Sequence, residues 1–295
     1  MEKIQEHHAA IASLTKGRHK FEKKLACNIK NDIKTFYGYV RSKSRTKDII
    51  GPLKDDRGNI VTDDGQMDDI LNNFFSSVFT KENKDMPEVT MRFNGGEERS
   101  LRNIIITPDM VKLKISKLKQ DKAPGDDGIT PKFLKEVVDE IAEPLTEIFN
   151  KSIIEGVVPQ DWKVANVTPI FKKGTKLDSG NYRPVSLTSD IGKLLRSLLR
   201  DAMINHLSQN RLINESQCGF RHKKSCLTNL LEYLEYIVNQ IDAGAPVDVI
   251  YLDFQKAFDK VPHRRLLQKL RAHGITGSII NWIENWLADR EQSCN

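Results

Sequence analysis

The chain has 295 residues, 39% apolar and 29% charged, the balance of a globular protein able to bury a core and not of a disordered or fibrous one. Its formal charge of +6 is uneven: residues 1–50 hold twelve Lys and Arg against five Asp and Glu, a formal +7, which leaves −1 for all that follows. Such a basic footprint points to an acidic partner, nucleic acid first and a membrane surface second. No apolar run reaches the length of a membrane span and the N-terminus is too polar for a signal peptide. An intracellular protein of the nucleus or cytoplasm, with no membrane partner, is therefore expected. Cys27, Cys218, Cys226 and Cys294 form no CxxC pair and have no His at zinc-site spacing, so they read as reduced packing thiols.

Taken in order, residues 16–47 interleave cations with Phe21, Leu25, Ile29, Ile33, Phe36 and Tyr37 at intervals of three and four, the period of an amphipathic helix with a basic outer face. Lys20, Lys23, Lys24 and Lys30 on that face are either solvated charge or contacts to a nucleic-acid backbone. Residues 50–62 suggest a short hairpin turning at Asp56, Arg57, Gly58 and Asn59. Residues 66–79 suggest a helix that buries Met67, Ile70, Leu71, Phe74, Phe75 and Val78. Residues 81–99 carry charge, Pro87 and Gly95-Gly96 without a period, which predicts a surface linker and a boundary near residue 100.

Thr107 before Pro108 is a helix start, with Met110, Val111, Leu113, Ile115 and Leu118 as the apolar face. In KAPGDDGI, residues 122–129, the adjacent Asp126 and Asp127 are flanked by Gly125 and Gly128, which is turn chemistry and not a metal site. A helix from Thr130-Pro131 is expected to break near Pro144 and continue to Gly156. Residues 167–171 and 182–187 read as strands joined by a basic loop with Lys172, Lys173 and Lys176, and Arg183 follows it. Charge at such a tip serves solubility or holds a triphosphate, to which Arg binds bidentately and Lys as a point charge. Thr188 or Ser189 then caps a helix over 190–207, and ESQCGFRHKKSCLTN, residues 215–229, leads into a helix over 227–241. Arg221 there faces a nucleic-acid phosphate or pairs with an acid.

After turn residues Gly244, Ala245 and Pro246, the apolar residues Val247, Val249, Ile250, Tyr251 and Leu252 read as a buried strand that delivers Asp253 to its open end. A carboxylate there caps a turn or holds a metal. Phe258, Asp259 and Pro262 follow, Pro262 as the first residue of a helix over 262–272. In the next helix, 277–288, Trp282 and Trp286 share one face and read as core before a base-stacking platform.

Four segments in this order, KAPGDDGI, NYRPVSL, QCGFR and LDFQKAFDKVPH, resemble the motifs of reverse transcriptases of non-LTR (LINE-type, jockey-like) retrotransposons. The resemblance implies an α+β fold: right-hand polymerase fingers over 101–245 and an incomplete palm over 246–295, preceded by a basic, mainly helical region over 1–100. It implies that Asp253 binds two Mg²⁺ ions with the backbone carbonyl of Phe254, and that Phe258 lies under the sugar of the incoming nucleotide and excludes a 2′-hydroxyl. It implies that Arg183 grips the nucleotide's phosphates with Lys172 nearby, and that the partners are an RNA template, a DNA primer and a deoxynucleoside triphosphate. Two ions about 3.5–4 Å apart need several carboxylates. Between Asp259 and Asn295 there is no Gln-Gly motif and no Asp-Asp hairpin, and Glu284, Asp289 and Glu291 form no adjacent pair. The expectation is a domain truncated before its second acidic motif, with an incomplete Mg²⁺ site and no polymerisation by this chain alone. The alternatives are a nucleic-acid-binding module without catalysis and a non-functional remnant.

Overall fold

The computed structural model describes residues 19–27, 29, 36, 37, 39, 50–82 and 88–294. Residues 1–51 form one unit and Pro52–Asn295 a second. In the first unit residues 19–27 are helical, with Lys20, Lys23 and Lys24 exposed on it; Lys30 lies outside the described residues. Phe21 meets Tyr39 edge to face at 5.5 Å, and the Tyr39 hydroxyl donates to Glu22.

The second unit opens with a two-stranded hairpin, β1 (Leu53–Lys54) antiparallel to β2 (Ile60–Val61). Its turn is the expected one: the Asp55 carboxylate accepts the amides of Arg57 and Asn59 at 2.9 and 2.8 Å, and Gly58 supplies φ +85°. Helix α1 (Asp64–Ser77) starts where the Asp63 side chain accepts the Gln66 amide, and it buries Met67, Leu71 and Phe75. The stretch after residue 87 is not free of the core: the amides of Arg92 and Phe93 donate to the Ala272 carbonyl at 2.9 and 3.1 Å, and Phe93 is buried.

Helix α2 (Pro108–Ser116) begins at the Thr107 cap as its sequence predicts, with Val111 and Ile115 inside, whereas Leu113 lies on the solvent side. The next helical stretch breaks seven residues earlier than expected. Helix α3 (Pro131–Glu136) ends at Val137, with φ −109° and ψ 22°, and α4 (Val138–Glu155) runs through Pro144 without interruption. Pro144 and Glu140 both face solvent, so water can satisfy the carbonyl that the missing N–H leaves free.

Strand β3 (Val164–Phe171) is central to a mixed sheet in the order β4-β3-β5, antiparallel to β4 (Tyr182–Thr188) and parallel to β5 (Glu291–Cys294). Pro169 stands opposite Pro184. The ladder alternates outward from the Lys172 N–H to Asn181 carbonyl bond, so that pair falls where no hydrogen bond is due. Ala165, Val167 and Pro169 are buried while Thr168 and Ile170 face out, the period of a half-buried strand. Helix α5 (Asp190–Gln209) is capped by the Ser189 hydroxyl. Helices α6 (Cys226–Asp242), α7 (His263–Ala272) and α8 (Gly277–Leu287) follow, with Pro262 as cap of α7 and not its first residue.

The core gathers Val111 and Ile115 of α2, Phe149 and Ile153 of α4, Leu194, Leu195 and Leu198 of α5, and Ile279, Trp282 and Ile283 of α8. Each such side chain contributes roughly 1.5–3 kcal/mol by leaving water. The Trp282 indole N–H also finds the Ser152 hydroxyl at 2.9 Å, so its one polar atom is satisfied in the interior. Trp282 is therefore core, as expected. The content is mixed helix and strand, an α+β protein.

Candidate nucleic-acid and nucleotide interface

The hairpin β3–β4 positions the largest group of expected phosphate contacts. Register Ile170↔Arg183 and Phe171↔Tyr182 closes it, and the Tyr182 hydroxyl donates to the Lys176 carbonyl at 2.8 Å. Gly174 adopts φ +92° in the tip loop and Asn181 Nδ2 reaches across to the Thr175 carbonyl at 2.9 Å. Lys172, Lys173, Lys176 and Arg183 all emerge exposed around this tip, and the Lys176 ammonium lies 5.8 Å from the Phe171 ring centre. Among the described residues none of the four is paired with a carboxylate, which leaves a concentrated positive field.

The segment KAPGDDGI packs behind this sheet. Asn166 Nδ2 of β3 donates to Asp126 Oδ1 at 3.0 Å, and the Ile129 amide to Asp127 Oδ1 at 3.1 Å. Both carboxylates are thus spent on turn and strand, as expected of turn chemistry.

The stretch around Asp253 departs from the expected geometry. Residues 247–254 are irregular, with Ile250 83% and Leu252 80% exposed, where a buried strand is expected. A strand saves its backbone N–H and C=O groups only by pairing, and among the described residues no strand is hydrogen-bonded to it. Tyr251 instead meets Tyr233 of α6, hydroxyls 2.9 Å apart. Asp253 and Phe254 are exposed, and no hydrogen bond or ion pair of the described residues joins Asp253 to the hairpin cations. Among those residues no three His, Cys, Asp or Glu side chains gather closely enough to hold a metal ion. This arrangement does not fit a pair of divalent ions, which need several oxygen ligands from carboxylates.

Phe258 is brought to the QCGFR segment: its ring meets Phe220 edge to face at 5.9 Å. Phe220 itself has φ +59°, a left-handed conformation that turns the loop toward Arg221. Arg221 donates to the carbonyls of Asn214 and Glu215 at 3.2 and 3.4 Å, so it closes its own loop and forms no ion pair among the described residues.

Residues 259–265 are held by a device the sequence did not announce. Glu82 accepts the amides of Arg264 and Arg265, each at 3.2 Å, at the start of α7, and the Thr80 hydroxyl donates to the Lys260 carbonyl at 3.1 Å. Next to them a cavity of about 630 Å³ opens between α1, β4 and β5, with Phe79, Ser186, Asp259 and Arg290 among its walls. The guanidinium of Arg290 lies 4.9 Å from the Trp286 ring centre and that of Arg196 5.2 Å from the same ring, which stacks on Trp282. Burial, with the Arg290 charge beside it, pulls Arg196 down to about 10 despite nearby Asp190. Only the interval of four between Trp286 and Arg290 could have hinted at this cluster.

Residues 170–295 match the family model described as reverse transcriptase (RNA-dependent DNA polymerase). The chain is 30% identical over 175 residues to the RNA-directed DNA polymerase from mobile element jockey of Drosophila melanogaster, covering 59% of this chain and 19% of that protein. It is 31% identical over 168 residues to the jockey protein of Drosophila funebris, covering 57% and 18%. It is 22% identical over 272 residues to the transposon TX1 uncharacterized 149 kDa protein of Xenopus laevis, covering 90% and 21%. The chain spans about a fifth of the length of these curated relatives. The family-model match takes in the hairpin tip and its second strand, the QCGFR loop and the segment of Asp253, and over these residues the chain is similar to the RNA-directed DNA polymerases of non-LTR, LINE-type retrotransposons.

Proposed function

We propose that this chain forms part of an RNA-directed DNA polymerase and binds an RNA template, a DNA primer and an incoming deoxynucleoside triphosphate. In this reading residues 101–245 are the fingers, 246–295 the first part of the palm, and 1–100 the basic region that precedes them. The observation that carries it is the hairpin β3–β4, whose register sets Arg183 beside an exposed tip bearing Lys172, Lys173 and Lys176. Bidentate guanidinium and point-charge ammonium groups are the donors a triphosphate needs. Phe258 is assigned to the sugar side of the nucleotide and Arg221 to the template. The Lys20, Lys23, Lys24 and Lys30 series is assigned to the nucleic-acid backbone. The family works with divalent metal ions. Asp253 and the Phe254 carbonyl are the residues assigned to Mg²⁺, but alone on exposed backbone they do not complete a site. Nucleotide and nucleic-acid binding, and not the chemical step, is what the described geometry supports.

The direct test is triphosphate binding. Arg183→Ala should weaken it about tenfold, the loss of a charge-assisted hydrogen bond of roughly 1.5–3 kcal/mol. Unchanged affinity in a folded variant would sink the assignment. A second reading, a binding module without catalysis, draws on the exposed Lys20, Lys23 and Lys24 of the helical stretch 19–27. Charge reversal there would then abolish nucleic-acid binding while Asp253→Asn leaves it intact.

A further inference from the structure

The cavity between α1, β4 and β5 has one guanidinium on its walls that no carboxylate of the described residues holds, beside three carboxylates that keep their charge. Of the carboxylates on its walls, Glu82 is committed to the amides of Arg264 and Arg265, and Glu291 accepts Gln160 Nε2 at 3.2 Å. Asp259 makes no ion pair among the described residues and acts on Lys256, whose ammonium lies over the Phe74 ring, only through its field. Arg290 is also unpaired: among the described residues no carboxylate pairs with it and no hydrogen bond ends on it. Its guanidinium lies over the Trp286 ring, 4.9 Å from the ring centre. A cation over a ring makes no conventional hydrogen bond to it, and guanidinium N–H donors fit phosphate oxygens. Arg196, against the same ring, is bonded only to neutral groups, the Thr188 hydroxyl at 2.7 Å and the Gly192 carbonyl at 3.2 Å, so two guanidinium charges share one indole. An anion on Arg290 would relieve that repulsion. The Ser186 hydroxyl, exposed on β4, opens on the same space, and Phe79, half-exposed on the wall, offers a face for a base. A volume of about 630 Å³ accommodates a nucleotide unit.

We propose that this cavity binds a phosphate of a single-stranded nucleic acid, with the phosphate on Arg290 and Ser186 and the adjoining base against Phe79. The site is separate from the hairpin tip, and it deepens the nucleic-acid reading above, on which it rests. It acts as a second foothold that sets the path of a strand between α1 and the sheet.

The test is binding of a fluorescent single-stranded oligonucleotide by the whole chain across a salt series, with a labelled deoxynucleoside triphosphate in parallel. Arg290→Gln should weaken the oligonucleotide about tenfold and lower the salt slope by about one, as for loss of one phosphate contact. Ser186→Asp, which sets a like charge beside the phosphate and leaves Arg290 in place, should weaken it as well, with the melting temperature of both variants kept. If only the triphosphate is weakened, the phosphate belongs to the free nucleotide and the strand assignment is overturned. If the wild-type chain binds oligonucleotide and neither variant changes it, this site falls while the broader reading stands. If the wild-type chain binds neither ligand, both fall.

Discussion

Lys114 of α2 and Asp201 of α5 show how a single pair joins two elements and what pH does to it. The Lys114 ammonium donates to the Asp201 carboxylate and, at 3.4 Å, to the Ser197 carbonyl, while Arg200 adds a bond to the same carboxylate at 2.8 Å. Partial burial pushes the Asp201 carboxyl upward, but the bonds from Lys114 and Arg200 outweigh it and hold the group below its ordinary 3.8. A carboxyl lowered on folding contributes stability that is full above its unfolded value and is lost as pH falls through the folded one. Asp201→Asn should therefore flatten the acid limb of the stability profile between about pH 5 and pH 2. Denaturant unfolding at stepped pH measures it, and an acid limb identical to wild type would refute the pairing.

At the scale of elements, the loop of residues 122–129 is clasped against the junction of β4 and α5 by the absence of one side chain. A Cβ on Gly125 would come within 2.5 Å of the Thr188 carbonyl carbon and oxygen and 2.6 Å of the Ser189 nitrogen, all backbone that cannot swing aside. Gly128, three residues on, has φ +66° but open space around it. Gly125→Ala should cost about 1–3 kcal/mol by forcing the loop off the sheet, and Gly128→Ala only about 1 kcal/mol of backbone strain. Unfolding midpoints in urea compare the two; an equal or reversed order would show that the loop does not press on the junction. The same close approach accompanies the bond from Asn166 to Asp126, which ties the loop to the hairpin that bears Arg183.

At the scale of the whole molecule, apolar surface is divided very unequally. Leu195 of α5 is fully buried, whereas α6 has no buried residue and presents Leu230 at 51% and Leu234 at 45% exposure. Leu195→Ala should cost about 2–5 kcal/mol, through lost transfer energy and the cavity left behind. Leu230→Glu with Leu234→Glu should leave stability within about 0.5 kcal/mol and reduce self-association, because the side chains give up no packing. Thermal melts and light scattering read the two effects. Melting of the double variant as low as Leu195→Ala would mean that this face is packed in solution.

What the sequence by itself determined is local and periodic. The Thr107 and Ser189 caps, the turn at Asp55–Asn59, the helices on either side of Gly274 and the strands that flank Lys172 and Arg183 all follow from residues close in the chain. The four motif segments were legible in the same way, each a short run of fixed spacing. Only the tertiary structure decided the rest. It carried the helix through Pro144 because that residue faces water, and it left residues 248–252 exposed because a strand exists only through pairing with another. It also set Arg196 and Arg290, 94 positions apart in sequence, against one tryptophan. Propensity and period act over a turn or a strand, while pairing, burial and unspent charge depend on which distant residues come to share one place.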